Sequence, residues 1–118
     1  MTAQTVQTYT IQLFMAGDID VAKQVIREVC YPGGLCVTVT PTSYIYAGGE
    51  EEGFVVGFIN YPRFPVDPGA LWDQASSLAD LLRDRCFQHS YTLVAPDLSM
   101  WKTARDPVLS DTERGTNE

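Results

Sequence analysis

Three adjacent glutamates, Glu50 to Glu52, form the densest set of potential oxygen ligands in the chain. They follow Gly48 and Gly49, which suit a tight turn because glycine adopts positive φ without steric cost. Adjacent like charges are too costly to bury unpaired, so this turn is expected to lie in water. Their spacing differs from the regular ligand spacing of an EF-hand loop. We therefore predict no metal site, and we treat Glu50 and Glu51 as candidate binding residues.

A second chemically distinctive segment, YPRFP at residues 61–65, holds one arginine among aromatic and proline residues. Arg63 can donate two parallel hydrogen bonds to a carboxylate or a phosphate. The prolines stiffen the segment, and a preorganised loop loses less entropy on binding than a flexible one. In the structural alternative, Tyr61 and Phe64 cap the core while Arg63 pairs with a nearby acid. Tyr61, Arg63 and Phe64 complete the set of candidate binding residues.

No catalytic set of residues is evident in the sequence. His89 is the only histidine, and its polar surroundings favour a solvated connector. Cys30 and Cys36 flank a Pro-Gly-Gly turn, and the odd count of three cysteines favours reduced thiols over a redox pair. No spacing matches a zinc site, and no glycine-rich loop leads into a helix in phosphate-binding order. The prediction is a protein that is not an enzyme and needs no cofactor.

Length and charge limit the classes of partner. The 118 residues fit one domain, and a net charge of −7 opposes attraction to a phosphate backbone, so nucleic acid is not expected. No stretch approaches the roughly 20 apolar residues that cross a bilayer. The first ten residues lack the basic and apolar regions of a signal peptide. We predict a cytoplasmic protein without a membrane partner.

Apolar periodicity predicts six elements in the order βαββαβ. The strands are expected at 8–15, 35–46, 54–61 and 91–95, and the helices at 19–30 and 68–87. Asp18 and Asp67 are the predicted N-caps. The economical packing is a ferredoxin-like α+β sandwich, a four-stranded antiparallel sheet with strand order 4-1-3-2 and both helices on one face. Residues 1–102 would form this domain, and residues 103–118 a disordered tail.

Such a sandwich leaves its second sheet face uncovered. Within 54–61, Val55 and Ile59 face one way and Phe54 and Phe58 the other, so neither set suits water. Exposed apolar patches usually mark an interaction surface, and symmetric pairing is the commonest way of covering one. We expect a homodimer. In the alternative, the N-terminal arm or residues 98–102, with Trp101, fold over that face.

The stretch from Tyr44 to Pro65 contains YIYAGGEE and VGFINYPRFP, which resemble small proteins encoded by tailed bacteriophages and prophages. The segments IQLFMAGD at 11–18 and VAPD at 94–97 are similar too, so the likeness covers about residues 8–101. The resemblance implies a phage accessory protein acting in the bacterial cytoplasm. It carries no activity that can be transferred.

Three functions remain open at this point. The favoured one is a non-enzymatic phage accessory protein that binds a host or phage protein. The alternative is a small-molecule binder that sequesters an anionic nucleotide through Arg63, with subunits assembling the pocket. A hydrolase or nuclease using the glutamates ranks last, because no base, metal cluster or nucleophile lies in register with them.

Overall fold

A computed structural model of the chain describes residues 1–104. Its elements are β1 (Thr10–Ala16), α1 (Ile19–Cys30), β2 (Thr38–Tyr46), β3 (Gly49–Ile59), α2 (Pro68–Arg85), β4 (Ser90–Val94) and β5 (Ser99–Thr103). The predicted α+β class, with two helices and an antiparallel sheet, is confirmed. The predicted tail starts inside β5, at Thr103, and beyond Ala104 it lies outside the described residues.

The sheet has the order β2-β3-β1-β4-β5, and every neighbouring pair is antiparallel. The four-stranded ferredoxin-like sandwich is therefore corrected to a five-stranded sheet. The additional strand β5 pairs with β4 through a short turn, where the Ala95 N–H donates to the Leu98 carbonyl at 2.8 Å. Only Met100 of β5 packs against the core, so this strand lacks the apolar alternation that identifies the others.

The β2–β3 hairpin closes more tightly than predicted. Tyr46 pairs with Gly49, which leaves Ala47 and Gly48 as the connecting residues, and Gly48 has φ +87°. Glu50 to Glu52 consequently lie within β3 and not in the turn. The strand tolerates them because all three side chains are exposed, and Ser43 donates to Glu52 Oε2 at 2.8 Å.

Both helices begin at the predicted caps. Asp18 Oδ1 accepts from the Asp20 N–H at 2.8 Å, and Asp67 Oδ2 accepts from the Gly69 N–H at 3.0 Å. An N-cap side chain pairs backbone donors that the first turn leaves free. These bonds fix where α1 leaves β1 and where α2 leaves the 61–65 loop.

One face of the sheet forms the core with both helices. Its largest fully buried side chains belong to Ile11, Leu13, Val25, Phe54, Val56, Phe58, Leu82 and Leu93. All three cysteines are free thiols, with Cys86 buried and Cys36 exposed. Neither helix within residues 1–104 combines the length and the apolar content needed to span a membrane.

The opposite face of the sheet carries no helix among the described residues, and we call it the open face. Paired residues of neighbouring strands point to the same face. Phe14 is paired with Val55 on one side and with Thr92 on the other, and Thr92 is paired with Trp101. The open face therefore presents a row of side chains from four strands, including two aromatic rings.

Candidate active site

A cavity of about 350 Å³ lies at the end of the sheet where β1 ends and β4 begins. We call it the sheet-end cavity. The side chains that characterise it are those of Phe14, Tyr44, Glu51, His89, Thr92 and Trp101. They come from five different segments of the chain, so the cavity exists only in the folded protein.

Strand pairing places these residues. Tyr44 and Glu51 are directly opposite each other in the β2–β3 hairpin, on the β3 side of β1. Trp101 lies two strands away on the other side of β1, in β5, with its side chain 63% exposed. Phe14 of β1 lies between them. The cavity is thus bounded by aromatic rings, with the Glu51 carboxylate at one side.

Gly53 makes room for the Tyr44 ring. A Cβ at position 53 would lie 2.8 Å from Cε2 of Tyr44 and 2.7 Å from Cα of Ala16, and it would overlap the Met15 carbonyl oxygen. Without that carbon the ring lies across β3, where the Tyr44 hydroxyl donates to the Phe54 carbonyl at 3.0 Å. The Tyr44 side chain is therefore fixed by its backbone in β2 at one end and by the hydroxyl hydrogen bond to β3 at the other.

Burial raises the pKa of the Tyr44 hydroxyl, and a hydrogen bond with the Met15 backbone opposes that rise. On balance the pKa lies above its ordinary value. The phenol thus remains protonated at neutral pH, and Tyr44 presents an uncharged ring to the cavity.

The charge of the cavity selects among ligands. Glu51 is the only acidic residue in its lining, and the described lining contains no lysine or arginine. A phosphate group would meet a carboxylate there and no fixed cation. A cationic ligand with an aromatic part would meet both a negative charge and ring faces.

The structure separates the predicted binding residues. Glu51 lines the sheet-end cavity, whereas Glu50 is exposed on the opposite side of β3. Tyr61 and Phe64 line a different cavity, beyond the other end of β3. Arg63 lies over the Phe64 ring, 5.4 Å from its centroid, and forms no ion pair within residues 1–104. One site containing both the glutamates and the arginine is therefore not formed within one chain.

Of the six residues that characterise the sheet-end cavity, only Glu51 was among the predicted site residues, and the other five were not: Phe14, Tyr44, His89, Thr92 and Trp101. One signal for the site was present, because Phe14 interrupts the alternation of β1. The remaining residues could be identified only from the strand order of the sheet. His89 and Trp101 lie near Tyr44 because β4 and β5 are in the same sheet as β2, although they are distant in sequence.

The chain matches no family model and no curated protein. Its fold is similar to two solved structures. One is a phage SAM lyase in the apo state, with 16% identity and a TM-score of 0.63 over 83% of this chain and 90% of that one. The other is a phage SAM lyase in complex with S-methyl-5'-thioadenosine, with 15% identity and a TM-score of 0.57 over 88% of this chain and 95% of that one.

These structural neighbours correct two predictions, that the protein is not an enzyme and that it acts by binding a host or phage protein. Both are enzymes, which contradicts the prediction of a non-enzymatic protein that binds a host or phage protein. The absence of a recognisable nucleophile, base and metal set in the sequence was not sufficient grounds to exclude catalysis. Their phage origin is consistent with the resemblance to phage proteins.

Proposed function

We propose that this chain is a phage-encoded lyase that cleaves S-adenosylmethionine (SAM) in the sheet-end cavity. The observation that carries the proposal is the combination of aromatic rings, one carboxylate and no lysine or arginine in the described lining. The fold that it shares with phage SAM lyases supports the same reaction class.

The substrate has groups that fit this lining. SAM contains an adenine ring, a permanently charged sulfonium and an α-ammonium group. Aromatic rings stack on nucleobases and attract cations placed over their faces. Trp101 presents a large exposed ring for stacking, and the Glu51 carboxylate is suited to the α-ammonium. The anionic nucleotide considered from the sequence does not suit this cavity.

The reaction needs little chemistry from the protein. Cleavage to S-methyl-5'-thioadenosine breaks the bond between the sulfonium sulfur and the γ-carbon of the amino-acid chain, and the electron pair stays on sulfur. The substrate carboxylate can bond to that carbon, which forms a lactone without water and without moving a proton. Such a step requires correct placement of the substrate and neither a base nor a metal.

The aromatic walls favour this step for a second reason. A sulfonium cation and a carboxylate become two neutral groups, so the reaction is faster in surroundings less polar than water. Phe14, Tyr44 and Trp101 supply such surroundings. The pair between Glu51 and the α-ammonium persists through the reaction, so it orients the substrate without stabilising the charge that must disappear.

The proposal is tested by incubating the purified protein with SAM and separating the products by liquid chromatography with mass detection. We expect S-methyl-5'-thioadenosine to form in proportion to protein concentration and time. Saturable binding of SAM without product would favour a sequestering protein instead. Neither binding nor product from the folded protein would overturn the proposed site.

A further inference from the structure

The proposed SAM site leaves one charged group of its substrate without a partner. The Glu51 carboxylate is suited to the α-ammonium group of SAM, but the α-carboxylate is bonded to the same carbon and needs hydrogen-bond donors of its own once it leaves water. The described lining contains no lysine or arginine that could supply them. A donor for the α-carboxylate must therefore come from another polar side chain of the sheet-end cavity.

Several polar side chains of the lining already have partners. The hydroxyl groups of Tyr44 and Tyr91 and the amide of Gln88 donate to other groups of the protein, at 3.0, 2.7 and 3.2 Å. The imidazole of His89 forms no hydrogen bond or ion pair within residues 1–104, and the residue is exposed. His89 is therefore available to a ligand in the cavity.

The remaining donors of the lining are less suitably placed. Thr92 is paired with Phe14 and with Trp101, so the Thr92 hydroxyl and the Trp101 indole lie in the row of side chains assigned to the adenine ring and the sulfonium. Ser90 is half-buried, and its hydroxyl lies close to the backbone of β4. The imidazole of His89 reaches farther from the backbone than either hydroxyl, at the end of the sheet where Glu51 also lies.

Glu51 and His89 border the cavity from opposite sides of β1. Glu51 is in β3, His89 directly precedes β4, and the sheet order places β1 between these strands. Neighbouring strands lie about 5 Å apart, so β3 and β4 are separated by roughly 10 Å. Ala16 of β1 lines the cavity between them and adds only a methyl group. An ammonium and a carboxylate on one carbon fit this gap, each at a hydrogen-bond distance of about 2.8 Å from its partner.

We propose that the imidazole of His89 donates a hydrogen bond to the α-carboxylate of SAM, on the side of the substrate opposite Glu51. This contact rests on the proposed function, since SAM is the ligand that it binds. Imidazole has at least one N–H donor in either of its protonation states. The bond holds one carboxylate oxygen while the other bonds to the γ-carbon, the bond from that carbon to sulfur breaks, and its electron pair stays on sulfur. No proton leaves His89, which acts by directing the attacking group.

Two thioethers test the contact without turnover. S-adenosylhomocysteine retains the adenosine, the α-ammonium group and the α-carboxylate of SAM, and its decarboxylated analogue lacks only the carboxylate. In titration calorimetry of the full chain, His89→Leu should weaken binding of S-adenosylhomocysteine about tenfold, the factor expected for loss of one hydrogen bond. Binding of the decarboxylated analogue should not change, which also shows that the variant is folded. Tyr31→Leu removes a ring that is 91% exposed outside the cavity, and it should bind both ligands as the wild type does.

A turnover assay separates failure of this contact from failure of the proposed function. With SAM, His89→Leu should raise KM about tenfold. If the wild type releases S-methyl-5'-thioadenosine and His89→Leu weakens both thioethers equally or neither, the His89 contact alone is overturned. If the wild type releases no product but His89→Leu selectively weakens S-adenosylhomocysteine, cleavage is overturned and the contact is supported. No binding of either thioether by the folded wild type would overturn both.

Discussion

Tyr44 and Glu51 face each other directly across the β2–β3 hairpin and line the same cavity. The hairpin thereby places an uncharged aromatic ring beside a carboxylate, at the edge of an open sheet face. The turn at Ala47 and Gly48 sets this register, because a shift by one residue would send Glu51 to the other face.

Replacing Gly53 should disturb both the fold and the cavity. In Gly53→Ala the new Cβ would overlap the Met15 carbonyl and press on the Tyr44 ring. The backbones of β1 and β3 are paired inside the sheet, so they cannot move apart freely to relieve this overlap. We expect a loss of roughly 1–3 kcal/mol in the free energy of unfolding. Gly57→Ala is the control, since its Cβ would meet chiefly the exposed Thr38 hydroxyl, which can rotate away. Equal losses in urea unfolding would contradict the packing described here.

The Asp80 carboxylate should make stability depend on pH in the acid range. Burial alone would raise its pKa, but hydrogen bonds from Tyr91 and Lys102 and the charges of Lys102 and Arg83 leave the pKa below its usual value. A carboxylate with a lowered folded-state pKa stabilises the fold above its unfolded-state pKa of about 4, and this contribution is lost as the pH falls through the folded-state value.

Asp80→Asn tests this by keeping an acceptor for the Tyr91 hydroxyl while removing the charge. The side chain is 40% exposed, so we expect a modest destabilisation at pH 7, up to about 1 kcal/mol. The difference between wild type and variant should shrink as the pH falls through the lowered folded-state pKa of Asp80. Unfolding curves at pH 7, 5, 3 and 2 measure the difference in the free energy of unfolding, and a difference that does not shrink between pH 5 and pH 2 would assign it to packing.

Phe87 occupies a backbone conformation that favours glycine. It has φ +57° after the last turn of α2, where the Gln88 N–H donates to the Arg83 carbonyl at 2.9 Å, and its side chain is 91% exposed. Phe87→Gly should stabilise the protein by about 1 kcal/mol, because glycine adopts this conformation without a Cβ clash. Phe87→Ala keeps the Cβ and should bring no such gain. Equal melting temperatures for the two variants would contradict the claim that the positive φ strains Phe87.

The open face leads to a prediction about assembly. Ile59 and Trp101 are exposed large apolar side chains on this face, and Val55 is half-buried near its centre. We propose a homodimer, as expected from the sequence, that covers Val55 and Ile59 and leaves Trp101 accessible at the sheet-end cavity. Light scattering of the wild type should give twice the monomer mass. The Val55→Glu variant should give the mass of a single chain. A monomeric wild type at tens of micromolar would contradict the claim that self-association covers the open face. A larger closed assembly would contradict only the claim that the assembly has two copies.

Local signals in the sequence predicted local structure well. Asp18 and Asp67 marked the helix starts because capping depends on neighbouring residues only. The fifth strand was missed because Met100 is its only residue that packs on the core, and its pairing with β4 is a tertiary property. For the site, Glu51 was identified but grouped with Arg63. Ile59 lies eight positions after Glu51 along extended β3, a distance of roughly 26 Å, so one chain cannot bring Glu51 and Arg63 into one site.

The central claim, cleavage of SAM at the sheet-end cavity, is tested most directly by comparing two adjacent glutamates of β3. Glu51 lines the cavity and Glu50 faces away from it, with both side chains exposed. We expect Glu51→Gln to lower kcat/KM for release of S-methyl-5'-thioadenosine by about 10- to 100-fold, as for loss of one charged hydrogen bond. Glu50→Gln should match the wild type. Equal activity of the two variants, or no product from the wild type, would contradict the account.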